Sequence, residues 1–134
     1  MSIFSKIISA LTPKSCAETE FGMEDMQFFI ALLRACPTGS RLYLDEGESE
    51  SFVDTFRAWS HRDQQDRFEA NYYTVNNEFI AKAEQLAARG ELELYHHFWI
   101  HAPDGQRLCS SLDDFVVVRL ADDIREKIKK QANA

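Results

Sequence analysis

Two histidines and a cysteine are the side chains in this sequence whose spacing suggests chemistry. His97 and His101 flank Trp99, and Cys109 follows a Pro-Asp-Gly turn, so a thiol and an imidazole could meet across a hairpin. Such a pair becomes nucleophilic when a third group orients the base. The sequence supplies no orienting group here and contains none of the common phosphate-loop, serine-elbow or zinc-protease motifs. A small enzyme or ligand-pocket protein using His97, His101 and Cys109 is therefore the alternative interpretation.

The same residues do not predict a metal site. His97 and His101 are four residues apart in a predicted strand, which separates them by roughly 13 Å at ~3.3 Å per residue. The chain has 3 cysteines and no Cys-x-x-Cys pair, which favours reduced thiols over a disulfide framework or a zinc ribbon. We expect no catalytic residue, no metal and no cofactor, and a cytoplasmic location.

The Pro-Asp-Gly turn predicts a hairpin with a second, non-apolar side. A three-residue connection with Gly105 in the left-handed conformation sets Ala102 opposite Gln106 and, by alternation, Cys109 opposite Trp99. The second side then consists of Tyr95, His97, Trp99, His101, Arg107, Cys109 and Ser111. Aromatic and arginine side chains give large contact areas with a polar handle. The predicted partner-binding residues of this side are Tyr95, His97, Trp99, His101 and Arg107. The alternatives are a face covered by a helix, with Trp99 in the core, and a solvated face with ordinary scattered aromatics.

Acidic side chains are concentrated in the first half of the chain. The formal net charge is −7, and residues 17–54 hold nine carboxylates against two arginines, a balance equal to that of the whole chain. This charge disfavours nucleic acid and can attract a basic protein, although a solubilising surface is the alternative. The predicted acidic contact residues are Asp45, Glu46, Glu48 and Glu50.

The order of predicted elements indicates the α+β class. Periodicity and capping residues predict helices over 23–36, 51–60, 76–90 and 121–131, with strands between them and a hairpin before the last helix. We expect an antiparallel sheet of about 3–5 strands, including a C-terminal meander, packed against about 4 helices. The continuous run 115–118 predicts an interior strand.

The first predicted core helix, 23–36, is apolar almost all round and should lie at the centre of the fold. As an alternative, a flank carrying Phe28 and Leu32 docks a second chain and makes a homodimer. The 134 residues fit a single domain, in which residues 1–14 form a short, loosely attached amphipathic helix. That segment is too short and too interrupted to span a bilayer.

These patterns predict a non-catalytic protein-binding domain. A small acidic inhibitor or immunity-type protein that neutralises a basic toxin or nuclease is the example that fits the charge. We expect the protein not to be an enzyme, and its partner to be a protein, with a homodimer as one further option.

Overall fold

The computed structural model describes residues 15–44, 50–61, 72–92, 97–112 and 115–133, with only the backbone of Glu50. The helices are the π-helix (Ala17–Phe21), α1 (Asp25–Ala35), α2 (Glu50–Thr55), α3 (Asn77–Ala88) and α4 (Asp122–Ala132), with a 3-10 turn at Arg57–Trp59. The strands are β1 (Ser40–Leu44), β2 (Ser60–His61), β3 (Tyr72–Val75), β4 (Phe98–His101), β5 (Arg107–Leu112) and β6 (Val117–Leu120). The α+β class and the C-terminal meander are confirmed.

The described residues form one antiparallel sheet of six strands together with five helices. Both numbers are slightly higher than the expected 3–5 strands and about 4 helices. The strand order is β2-β3-β1-β4-β5-β6, so β1 lies in the middle and the meander β4-β5-β6 forms one half. The extra strand is β2, which occupies the place where the sequence predicted the end of a helix. That helix instead stops at Thr55 and continues as the 3-10 turn, with Phe52 and Phe56 buried as its aromatic stripe predicted.

The helix α1 is the central core helix that the sequence predicted. Phe28 and Leu32 are fully buried, and Phe28 stacks on Phe21 of the π-helix with ring centroids 5.5 Å apart. Phe28 also meets Phe115 edge-on at 6.0 Å. The alternative that this flank docks a second chain is therefore wrong, because the chain's own segments already cover it.

Local end signals place the last two long helices. The side-chain oxygen of Asn76 accepts a hydrogen bond from the Phe79 N–H at 2.8 Å and caps α3, as predicted. In α4, acidic residues occupy the first turn and Lys129 and Lys130 the last, which suits the helix dipole. The Gln131 amide also donates to the Ala31 carbonyl at 3.0 Å, which ties α4 to α1.

The hairpin turn agrees with its prediction. The Ala102 N–H donates to the Gln106 carbonyl at 2.8 Å, and the Gly105 N–H donates to the Ala102 carbonyl at 2.9 Å. Gly105 has φ 94°, a conformation that side chains disfavour.

Beyond the turn the predicted register is wrong, because β5 contains a β-bulge. His101 pairs with Arg107, but Ile100 pairs with Cys109, so Leu108 is an extra residue in the strand. One inserted residue moves every following side chain to the opposite face. Cys109 consequently lies opposite Ile100 on the apolar side and not opposite Trp99.

The strand β6 is an edge and not the interior strand that its valine run predicted. It pairs only with β5 among the described strands, and Val116 and Val117 are 38% and 40% exposed. No described helix is long and apolar enough to cross a membrane. The predicted helix over 1–14 lies outside the described residues, and a single domain over 1–134 stays a prediction.

Candidate functional site

Two chemically different faces result from side-chain alternation in the sheet. One face is buried: Leu42, Tyr73, Phe98 and Ile100 pack in the core shared with the helices. We call the other the aromatic face, and its described strand residues are Arg41, Tyr43, His61, Tyr72, Thr74, Trp99, His101, Arg107, Ser110, Leu112, Val117 and Arg119, with His97 just before β4. None of the described helices packs against this face.

Rings form a continuous row across the middle of the aromatic face. His61 stacks on Tyr72 with centroids 4.7 Å apart and planes at 20°, and Tyr72 lies 5.8 Å from Tyr43. Tyr43 in turn lies 4.9 Å from His101. Tyr43, between the rings of Tyr72 and His101, is only 5% exposed. The row therefore presents its outer rings and buries its centre.

Trp99 and His97 extend the row along β4. Their ring centroids are 6.5 Å apart, and both side chains are half-buried. Trp99 is paired with Tyr43 on one side and with Ser110 on the other. The indole thus sits at the middle of the sheet, where a bound molecule would contact it.

Positive charge accompanies these rings. The Arg41 guanidinium lies 4.8 Å from the centroid of Tyr72 as a cation–π contact, and Arg107 Nε lies 3.4 Å from His101 Nε2. No described strand residue of this face is a carboxylate. The face is therefore locally basic in a chain whose formal net charge is −7.

A shallow depression of about 290 Å³ lies at the β5–β6 side of the aromatic face. Arg107, Ser110 and Arg119 line it, with backbone and side-chain atoms from the bulge and from the start of α4. The two guanidinium groups are positively charged and can only donate hydrogen bonds, whereas the Ser110 hydroxyl can both donate and accept. Leu108, Cys109, Leu120 and Ala121 add apolar surface, so the depression combines an apolar lining with two guanidinium groups that can bind an oxyanion.

The environment of His101 favours its neutral form. Partial burial lowers the pKa of its imidazole below the ordinary value, and the neighbouring charges of Arg107 and Arg41 lower it further. In the neutral imidazole, Nε2 accepts the hydrogen bond from Arg107 Nε, and Nδ1 carries the proton as a donor. His61 is another histidine of the aromatic face, and its Nε2 lies 2.7 Å from Thr74 Oγ1.

The thiols are not on this face. Burial raises the pKa of Cys109, and burial raises the pKa of Cys36 to about 12. Cys109 belongs to the buried face while His97 and His101 belong to the aromatic face, so the alternative site of His97, His101 and Cys109 is not assembled. The expected position of Cys109 was wrong because the sequence does not reveal the bulge at Leu108.

Ser111 was also assigned to the wrong face for the same reason. It pairs with Phe98 and is 1% exposed, while its neighbour Ser110 takes the place on the aromatic face. Among the described residues, the Ser111 hydroxyl has no hydrogen-bond partner.

Of the predicted contact residues, the structure brings four together: His97, Trp99, His101 and Arg107. Tyr95 lies outside the described residues, as do Asp45, Glu46 and Glu48, and nothing is described of the Glu50 side chain.

Sequence reasoning missed the other half of the face: Arg41, Tyr43, His61, Tyr72 and Arg119. The alternation of Arg41 and Tyr43 with buried leucines was a usable signal for a two-sided strand. No local signal in the sequence predicts the pairing of β1 with β4, which joins residues almost sixty positions apart.

A second cavity lies on the helix side of the molecule. It has a volume of about 700 Å³ between α1, α3 and α4, with Met23, Met26 and Ile30 among its apolar lining and the Arg34–Glu84 ion pair at its rim. In the part of the chain that the structure describes, no group of three or more histidine, cysteine or acidic residues is arranged to hold a metal ion.

Comparisons with known proteins add no relative. No protein-family model matches the chain, and neither the curated proteins nor the solved structures gave a match.

Proposed function

We propose that this chain is a non-catalytic protein-binding domain that docks its partner on the aromatic face. The observation that carries the proposal is a sheet face with Tyr72, Trp99 and His101 half-buried at its surface and no described helix packed on it. Large half-exposed rings on a rigid sheet are a common basis of protein recognition, because little conformational freedom is lost when they are buried further.

The composition of the face supports a protein ligand. Tryptophan, tyrosine and arginine are the residue types that most often carry binding energy at protein interfaces, and all three occur here within one patch. Thr74, which is half-buried, and Arg119, which is exposed, supply polar side chains of the kind that surround the core of an interface.

The expected acidic inhibitor or immunity-type protein is a finer proposal, and it concerns a different part of the chain. It rests on the carboxylates of residues 45–50, which the structure does not describe, and it stays a prediction. Reversal of Glu46 and Glu48 to lysine should weaken capture of a basic partner, and unchanged capture would contradict it. A cytoplasmic location likewise stays a prediction.

Affinity capture with matched variants tests the docking face. The tagged protein and the variants Trp99→Ala and Tyr72→Ala are each used to capture partners from a native lysate. The control is Met26→Ala, which changes an apolar side chain at the helix-side cavity. We expect recovery of the partner to fall about tenfold or more with either face variant and to be unchanged with the control.

Three results would contradict the proposal. They are the absence of any saturable partner, equal recovery by wild type and both face variants, or loss of the partner with Met26→Ala alone. Thermal unfolding of each variant verifies that the variant proteins are folded at the capture temperature.

A further inference from the structure

Six of the described arginines form two groups that differ in their pairing. Arg34, Arg57 and Arg125 make ion pairs with Glu84, Asp54 and Glu20 on the helix side and in the connecting segments. By contrast, Arg41, Arg107 and Arg119 of the aromatic face make no ion pair with any described carboxylate. Three guanidinium groups on one face are thus left with donor capacity.

Two of these arginines are also held in place. Arg41 lies over the ring of Tyr72, and Arg107 is directed toward His101. Guanidinium groups fixed in this way lose less freedom when they bind, and each can hold a carboxylate through two parallel hydrogen bonds. Arg119 is exposed on the neighbouring strand, across from Ser110, and lines the 290 Å³ depression together with Arg107.

We infer that the partner segment received by the aromatic face is acidic, with its carboxylates bound by Arg107 and Arg119 at the depression and by Arg41 at the row of rings. The inference rests on the proposed function and specifies the partner for the same face. The aromatic side chains then contact the apolar parts of the segment between its carboxylates.

The charge of the rest of the molecule favours a short acidic segment over nucleic acid. A nucleic acid strand extends beyond the face, where its phosphates would be repelled by a chain whose formal net charge is −7. A peptide segment interacts locally, since charges more than about 10 Å apart are screened at ordinary ionic strength. The face also has no lysine among its described strand residues.

Synthetic probes test the inference directly. The acidic probe is a dye-labelled peptide that alternates glutamate with tyrosine, and its counterpart carries lysine in place of glutamate. A short oligo-thymidine strand is the nucleic acid probe. Fluorescence anisotropy is measured with the full chain, with Arg107→Glu, with Arg119→Glu and with the control Arg89→Glu. Arg89 is an exposed arginine at the end of α3, and its reversal makes the same change in net charge.

The expected result is binding of the acidic peptide alone, weakened about tenfold or more by Arg107→Glu and by Arg119→Glu and hardly by Arg89→Glu. Added salt should weaken it as well. No binding of the acidic peptide up to millimolar concentration overturns the inference. So does preferred binding of the lysine peptide or of oligo-thymidine, or an equal effect of the three reversals.

The two proposals fail in different ways. If capture of the native partner depends on Trp99 and Tyr72 but not on Arg107 and Arg119, the docking face stands and the acidic segment is wrong. If capture depends on none of these residues, the docking face itself is wrong. Should a reversal unfold the protein, the neutral variants Arg107→Gln and Arg119→Gln replace it, with a smaller expected loss in the same direction.

Discussion

The two faces of the sheet are made by the same strands and yet differ in every property that matters for function. On the buried face, Leu42, Phe98 and Ile100 are at most 1% exposed and fit among helix side chains. On the aromatic face, Tyr43 is buried between its neighbours, and the adjacent Trp99 and His101 are half-buried. Alternate residues of a strand therefore belong to the stabilising core and to the proposed docking face. Substitutions at neighbouring positions should affect either stability or partner binding.

The two sides also differ in charge. On the helix side, Arg34 and Arg125 are paired with glutamates, whereas the arginines of the aromatic face have no described carboxylate partner. Ion pairs compensate charge within the chain, while guanidinium groups without a described partner would be available to a ligand. The comparison separates residues that maintain the fold from residues that are available to a partner.

The largest expected effect comes from two adjacent residues of β4. Phe98→Ala removes a ring that meets Phe29 and Phe115 edge-on at 5.3 and 5.5 Å, and it should lower the free energy of unfolding by about 3–5 kcal/mol. Trp99→Ala should cost less, about 1–2 kcal/mol, because the indole is only half-buried. Urea unfolding measures both. An equal cost would mean that Trp99 belongs to the core.

Thiol reactivity tests the bulge that separates the faces. In native protein, Cys36 and Cys109 should react with Ellman's reagent at least about a hundredfold more slowly than in urea, because burial raises both pKa values and the thiolate fraction falls tenfold per unit. Cys16 is less buried and should react first. The single variants Cys16→Ser and Cys109→Ser assign the rates. Fast native labelling of Cys109 would mean that it lies on the aromatic face.

A smaller effect is expected at the neighbouring serines of β5. Ser111 is buried and its hydroxyl lacks a described partner, so Ser111→Ala should raise the free energy of unfolding by about 1 kcal/mol. Ser110 is 9% exposed on the aromatic face, and Ser110→Ala, which breaks no described side-chain hydrogen bond, should change it by less than about 0.5 kcal/mol. Denaturation curves of the two variants provide the measurement. Destabilisation by Ser111→Ala would show that its hydroxyl has a partner.

The smallest effect concerns protonation of the aromatic face. Because His101 has a lowered pKa in the folded protein, the folded state binds fewer protons than the unfolded state as the pH falls below about 6.5. Its contribution to stability is present above that pH and is lost as the pH falls toward the lowered pKa. Arg107→Gln should raise the pKa of His101, which an NMR titration of its ring protons measures, with His61 as an internal reference. An unchanged pKa would mean that the guanidinium does not act on this imidazole.

Elements with local signals were predictable from the sequence. The Asn76 cap, the charged ends of α4 and the left-handed Gly105 each depend on a few adjacent residues, and all three occur as expected. The α+β class followed from the order of these elements. On β4 and β5, Trp99, His101 and Arg107 followed from alternation on either side of a correctly predicted turn.

The remaining features depend on contacts between distant residues. An extra residue such as Leu108 leaves no mark in the hydrophobic pattern, since leucine suits a regular strand equally well. The valine run 115–118 indicates a strand but does not reveal that the strand has a neighbour on only one side. The pairing of β1 with β3 and β4 decided that Arg41 and Tyr72 join the hairpin residues, and no short-range signal encodes it.

The unequal lengths of the two outer strands set a limit on how copies of this protein can assemble. Over the described residues, the outermost strands are β6, with four residues beside two exposed valines, and β2, with only two. Lateral pairing needs a run of free backbone groups, so β6 provides a usable contact and β2 does not. Among the described strands, two molecules that join through β6 leave no second long edge for a third, so assembly through this edge would end at a closed pair instead of a filament.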